Sequence, residues 1–132
     1  MIRKLKLQDL DEVMKIWLEA NIEAHNFITE SYWKGNADLV KTLLPEAEVY
    51  VYEEEAQIKG FIGIQEGYIA GLFVEHNARR KGIGKALLNY CMNSYESLTL
   101  KVYEKNIGAV AFYQKQGFKF EKQDREDRKS VV

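Results

Sequence analysis

Apolar residues recur along this chain with two periods, and the changes of period mark its elements. Ile2, Leu5 and Leu7 alternate imperfectly with basic residues and predict a first strand over Ile2 to Leu7 with one solvated side. From Leu10 the spacing turns helical through Val13, Met14, Trp17, Leu18 and Ile22, with Asp9 and Asp11 near the start, where the helix dipole favours acids. Thr29 suits the cap of a second helix that opens on Glu30-Ser31-Tyr32-Trp33, both aromatics reading as exposed, and runs toward Leu44 until the one proline, Pro45, ends it. Glu48 to Tyr52 and Ile58 to Ile64 are rich in β-branched and aromatic residues, flank the polar turn Glu53 to Gln57, and predict a hairpin that Tyr68 to Val74 extends. Gly82 to Tyr95 returns to helical spacing through Ile83, Ala86, Leu87, Tyr90 and Cys91. Leu98 to Val102 then predicts a short buried strand, Asn106 to Gln116 a helix stopped by Gly117, and Phe118 to Phe120 the opening of a last strand. A meander followed by alternating helices and strands predicts an α/β (α+β) fold: a central mixed sheet with helices on both faces, in a single domain over residues 1–132.

Composition narrows the function by exclusion. With 19 Lys and Arg against 20 Asp and Glu, the chain offers no broad basic field, so nucleic acid is a poor partner. No apolar run approaches the roughly 18 residues of a membrane-spanning helix, which argues against an integral membrane protein. The lone Cys91 has no internal disulfide partner, and the opening MIRKLKLQDL lacks an apolar core before a cleavage site; both point to the cytoplasm.

The most informative segment runs from Leu72 to Leu88. A hydrophobic strand enters a loop with three consecutive cations, Arg79-Arg80-Lys81, and then Gly82-Ile83-Gly84-Lys85 opens an amphipathic helix. The first turn of a helix presents unpaired N–H groups and a partial positive charge, and glycines there let a pyrophosphate approach the backbone. Two familiar phosphate motifs fail: the Walker pattern needs Gly at Arg79 and Ser or Thr at Ala86, and the dinucleotide fingerprint needs a third Gly at Leu87. What fits is Arg-x-x-Gly-x-Gly between a strand and a helix. Downstream, Asn106 is followed by Ala109-x-x-Phe112-Tyr113-x-x-x-Gly117-Phe118.

These two segments, in this order, resemble the GNAT superfamily of acetyltransferases, and the resemblance spans most of Ile58 to Phe120. It implies the GNAT acyl-CoA N-acyltransferase fold and an N-acetyltransferase that moves the acetyl group of acetyl-CoA to a primary amine by direct attack in a ternary complex. By that resemblance Phe73 and Val74 hold the pantetheine by main-chain pairing. Arg79, Gly82 and Gly84 bind the pyrophosphate, with Arg80, Lys81, Ile83 and Lys85 lining the same turn and Asn106 contacting the cofactor from the second motif. Tyr113 stands beside the coenzyme sulfur as general acid. His25, Phe27, Tyr32 and Trp33 fall between the first two helices, where the family admits its acceptor, and are candidates for the substrate wall, with core packing as the alternative.

The chemistry needs a neutral amine, a donor for the developing oxyanion and an outlet for the thiolate. A lysine amine near pKa ~10.4 costs about 4.6 kcal/mol to deprotonate at neutral pH, whereas an α-amine near ~7.8 costs about 1 kcal/mol. A phenol near ~10 facing a thiol near ~8.5 makes full proton transfer uphill by about 2 kcal/mol, so Tyr113 chiefly hydrogen-bonds the thiolate. The oxyanion donor is expected to be a backbone N–H near Val74, where the strands should splay. Glu66, just before Gly67, is the candidate general base through water, with a solvated turn carboxylate as the alternative and Glu75 as a lesser candidate. His76 has no Cys or carboxylate at metal spacing, so no metal is expected, and Cys91 reads as inert packing.

The chain departs from the family pattern at its end. After about Asp124 the sequence is mostly charged, so the seventh strand of the family is expected to be missing. The exposed edge would then close directly on its neighbour or be paired by a second copy in a homodimer. Two other readings stay open at this point: a non-catalytic coenzyme A sensor of the same fold that binds partners, and a phosphate-binding module for another nucleotide. The acceptor, a small molecule or a protein amine, is not identified by these motifs.

Overall fold

The computed structural model describes residues 1–25, 27–119, 122–124 and 129–131, the last two segments as backbone. In chain order the elements are β1 (Ile2–Lys4), α1 (Leu10–Ala24), α2 (Glu30–Leu43), β2 (Glu48–Glu54), β3 (Gln57–Gln65), β4 (Tyr68–Val74), α3 (Ile83–Ser94), β5 (Thr99–Tyr103), α4 (Ile107–Lys115), β6 (Lys122–Asp124) and β7 (Lys129–Val131). They form one mixed sheet in the order β1-β2-β3-β4-β5-β7-β6. β1 to β4 are an antiparallel meander, β5 lies parallel to β4, and β7 is antiparallel to both of its neighbours.

Strand alternation builds a core on each face of the sheet. Val49 and Val51 of β2 and Phe61 of β3 pack against Val13, Ile16 and Trp17 of α1 and Trp33 of α2. On the other face Tyr50, Ile62 and Ile64 pack against Ile83, Leu87, Leu88 and Cys91 of α3 and Tyr113 of α4. A bulge keeps the two sets apart: Glu53 pairs with Ile58 but Tyr52 pairs with Gly60, so Lys59 is extra and Ile58 shares the α1 face with Phe61. Leu87 and Leu88 are fully buried, each contributing about 2 kcal/mol of hydrophobic stabilisation.

Four details differ from the sequence pattern. β1 ends at Lys4 instead of Leu7, because the Asp9 carboxylate accepts from the Lys6 N–H at 2.7 Å and winds Leu7–Asp9 into a 3-10 turn. The Arg3 guanidinium holds the same carboxylate in a fork at 2.8 and 3.1 Å. Trp33 is buried rather than exposed, turned inward edge-to-face on Trp17. Thr29 flanks α2, but its side chain makes no capping bond. After α4, Gly117 at φ 103° and a 3.0 Å bond from the Phe118 N–H to the Tyr113 carbonyl stop the helix, and the next strand starts only at Lys122; Phe120 lies outside the described residues.

The expected loss of the seventh strand is overturned. β7 inserts between β5 and β6, with Lys101 opposite Val131, Tyr103 opposite Lys129 and Lys122 also opposite Val131. A strand in that slot is held by main-chain bonds on both edges, which any residue type supplies, so a charged composition hides it. The edge of β5 is therefore filled within the chain and needs no partner strand.

Candidate active site

Two neighbouring parallel strands separate at the centre of this sheet. β4 and β5 pair only at Tyr68 with Thr99 and Ile69 with Leu100; beyond that point they diverge. A second bulge prepares the divergence, since Gly63 pairs with Gly71 and Ile64 with Ile69, leaving Ala70 extra in β4. The main-chain groups left over can be assigned by parity. Glu75 donates its N–H to the Lys59 carbonyl at 2.8 Å, so Phe73 and Gly71 also turn their main-chain groups to β3, while those of Leu72 and Val74 point into the gap.

Two cavities meet at this gap. One of about 290 Å³ lies toward the first two helices, walled by Trp17, Asn21, Trp33 and Tyr103. The other, of about 300 Å³, lies toward the last two helices, walled by Val74, Arg79, Gly84 and Phe112. His25, Leu72, Phe73, Asn106, Ala109 and Tyr113 line both. A larger hollow of about 450 Å³ between the ends of α3 and α4 is lined by Met92, Tyr95 and the motif's closing pair Gly117 and Phe118, and by none of the candidate catalytic, cofactor or acceptor residues.

The loop after β4 delivers a helix start to the second cavity. Arg80 at φ 65° and Gly82 at φ 80° take the left-handed conformation that turns the chain into α3. The first intrahelical bond runs from Ala86 to the Gly82 carbonyl, which leaves the amides of Ile83, Gly84 and Lys85 without helical partners. No acid stands in that first turn, and Arg80, Lys81 and Lys85 are exposed around it. The Ile83 side chain is buried beneath the helix, so of this residue only the main chain faces the turn. A Cβ on Gly84 would sit 3.6 Å from Val74 and 3.8 Å from Phe112, so anything longer would grow into the cavity between β4 and α4. The Arg79 guanidinium pairs with Glu23 at the end of α1, and its Nε lies 3.5 Å from the Val74 carbonyl. Glu23 also holds His76 Nδ1 at 2.8 Å, tying the loop to α1.

Tyr113 comes from α4 and is buried, with Phe112 at 5.2 Å and Phe118 at 5.6 Å between ring centres. Burial pushes its phenol well above the ordinary value, so the group holds its proton and acts as a donor. Asn106 caps α4, its Oδ1 accepting from the Ala109 N–H at 3.3 Å. The arrangement therefore offers a main-chain edge, an anion cradle at its end and a phenol donor where the strands part.

A family model for the acetyltransferase (GNAT) domain matches residues 19–131. The chain belongs to the GNAT acetyltransferase family. It is an acetyl-CoA-dependent N-acetyltransferase. It is 41% identical over 120 residues to the peptidyl-lysine N-acetyltransferase YiaC of Escherichia coli K12, covering 89% of this chain and 82% of that one. It is 33% identical over 119 residues to the peptidyl-lysine N-acetyltransferase YjaB of the same strain, covering 89% and 81%. Among solved structures, apo YjaB from Escherichia coli superposes with a TM-score of 0.84 at 29% identity, covering 99% of this chain and 92% of that one. The PaiA N-acetyltransferase of Thermoplasma acidophilum in complex with coenzyme A has the same fold, with a TM-score of 0.85 at 22% identity over 99% and 96% of the two chains.

Against this GNAT frame, the residues singled out in the sequence divide into groups. Phe73, Val74, Arg79, Gly84, Asn106, His25 and Tyr113 come together at the gap, and Trp33 lines its first cavity. The main chain of Phe73, expected to pair with the pantetheine, is instead turned to β3 by the register, and Leu72 takes that place beside Val74. Tyr32 is half exposed and lines neither cavity; Phe27 stacks edge-on against His25 at 5.7 Å from outside. Glu66 sits in the exposed turn between β3 and β4 at φ 51° and lines neither cavity, and Glu75 likewise lies off the gap. Leu72 and Asn21 line the gap without having been singled out, and Ala109 and Phe112, which the second motif contains without a role of their own, line it too. Leu72 had a signal, its two-residue spacing from Val74, but which parity faces the gap depends on the register with β3.

Proposed function

We propose that this N-acetyltransferase moves the acetyl group of acetyl-CoA to the ε-amino group of a lysine in a protein or peptide, by direct attack in a ternary complex. The observation that carries the reading is the junction of two cavities at Tyr113, one ending at the helix cradle and the other walled by aromatic rings. The relatives YiaC and YjaB, both named peptidyl-lysine N-acetyltransferases, support the choice of acceptor.

In this reading the gap-facing main chain of Leu72 and Val74 pairs with the pantetheine amides as a further strand would. The amides of Ile83, Gly84 and Lys85 receive the pyrophosphate, and Arg80, Lys81 and Lys85 supply counter-charge. Arg79 leaves the Val74 carbonyl as the pantetheine takes its place, and Asn106 meets the cofactor from the α4 side. Bound acetyl-CoA supplies the thioester carbon. The amine enters through the cavity of Trp17, Trp33 and Tyr103, whose rings suit the apolar stem of a lysine. A main-chain N–H of β4 at the splay faces the developing oxyanion, and Tyr113 donates to the departing sulfur without surrendering its proton.

Among the described residues, none that lines either cavity is a carboxylate. The ammonium therefore gives up one proton to water before attack, at the cost of about 4.6 kcal/mol for a lysine, and the tetrahedral adduct gives up a second to water as coenzyme A leaves as its thiolate. The free, buried thiol of Cys91 accords with a reducing compartment, and we place the reaction in the cytoplasm.

Calorimetry with acetyl-CoA, followed by thiol release with lysine peptides and with matched peptides bearing only an α-amine, tests the reading. Binding and lysine-dependent thiol release are expected. Release that follows the α-amine alone would overturn the acceptor, and binding without release would favour the sensor.

A further inference from the structure

His25, an acceptor-wall candidate by its place between the first two helices, is a buried ring with no part in the proposed reaction. It closes α1, lines both cavities where they meet, and is 8% exposed. Trp33 at 5.3 Å and Tyr103 at 5.2 Å pack on it from α2 and β5. Its Nε2 lies 3.2 Å from the side-chain Nδ2 of Asn106. The direction of that bond follows from the other end of the amide. Asn106 has its Oδ1 turned to the Ala109 N–H, so the NH₂ group faces His25, and Nε2 must be the acceptor.

We propose that His25 is a positioning residue for acetyl transfer: its neutral ring accepts the Asn106 amide and thereby fixes the cap of α4 and, seven residues on, Tyr113. Seven residues are two helical turns, so cap and phenol lie on one face of α4. This rests on the acetyl-transfer reading of the site. A protonated ring has no lone pair at Nε2 and would turn a donor against a donor, so protonation releases the cap. Burial favours the neutral ring, and the Asn21 carbonyl one turn back on α1 offsets this in part. The charged and titratable groups around the ring are Tyr113 on the shared wall, Arg79 on the wall of the second cavity, Lys101 on that of the first, Tyr103 stacked on it, and Lys105, whose ammonium lies 5.6 Å over Phe27; Glu23 is paired to Arg79.

Two measurements test this. Long-range ¹H–¹⁵N NMR of the ligand-free wild type near neutral pH should show the proton on Nδ1 and an unprotonated Nε2. A proton on Nε2 would overturn the proposal, whether or not the protein proves to be an acetyltransferase. Kinetics with acetyl-CoA and a lysine peptide then compare wild type, His25→Gln and His25→Leu. Loss of the acceptor atom in His25→Leu should lower kcat/KM about tenfold, and His25→Gln, which keeps an acceptor oxygen, should recover to within about threefold. The ratio of wild-type to His25→Gln rates cancels the titration of the peptide amine; it should be flat above neutral pH and fall on the acid side. A ratio flat throughout, or equal losses in the two variants, would reduce His25 to packing and sink the idea. Absence of all turnover in the wild type would instead count against the acetyl-transfer reading, leaving the NMR result to decide the His25 contact.

Discussion

Tyr113 sits within a shell of rings, and in the proposed reaction its value lies in one hydrogen bond made as the sulfur leaves. Tyr113→Phe keeps the ring, the packing and the cavity wall, so acetyl-CoA affinity should stay within about threefold while kcat falls by about a hundredfold, the usual loss for one donor aimed at developing charge. Calorimetry and single-turnover thiol release separate the two quantities. Glu66 provides the opposite case: it stands on an exposed turn and lines neither cavity, so Glu66→Gln should leave kcat within about twofold at every pH. A drop of tenfold or more would mean that water connects that carboxylate to the gap. The difference between these residues shows how far single positions are legible. Tyr113 is fixed by a local motif built around one helix, with Asn106 at its cap seven residues before and Gly117 just past its end four residues after. The role of Glu66 depends on which end of β4 opens, and that is set by the short pairing with β5, which no local pattern encodes.

The element that carries the anion cradle is held from below. Gly60 of β3 lies directly under the start of α3: a Cβ there would come within 2.9 Å of the Phe73 carbonyl, 3.2 Å of Ile83 and 3.4 Å of Leu87. Gly60→Ala should therefore cost about 2 kcal/mol by overpacking, read from urea unfolding. It should also weaken acetyl-CoA binding several-fold, because Ile83 opens the turn whose amides form the cradle. Wild-type affinity in a measurably destabilised Gly60→Ala would show that α3 moves as a rigid unit without disturbing its first turn. Elements with strong side-chain patterns, α1, α3 and the three-strand meander, were legible to within a few residues, since burial on one face dictates their period. β7 was not, because its place depends on main-chain pairing with β5 and β6. β1 was read three residues too long for a related reason: the bond from Lys6 to Asp9 ends a pattern that apolar spacing alone would continue.

At the scale of the whole molecule the two faces of the sheet differ in which protons they depend on. The α3 and α4 face buries three weak acids in one cluster, Tyr50, Cys91 and Tyr113. Burial raises all three: the Cys91 thiol goes from 9.0 up to about 11, with the nearby Glu48 adding to the effect, and both phenols go above their usual value of 10.0. A group whose pKa is higher folded than unfolded contributes stability that is complete below the unfolded value and is lost as pH climbs through the folded one. Stability should thus decline from about pH 9 upward on account of this face. His25, at the junction with the other face, is lowered by burial from 6.5, so its contribution is complete above that value and is lost as pH falls below it. Urea midpoints should be flat between these limits and drop on both sides. Cys91→Val and Tyr113→Phe should each flatten the alkaline side and leave the acid side alone, whereas His25→Gln should flatten only the acid side. An alkaline decline unchanged in Cys91→Val and Tyr113→Phe would mean that the α3 and α4 face opens before its acids titrate, and the cluster would then not be the part of the fold that fails first in base.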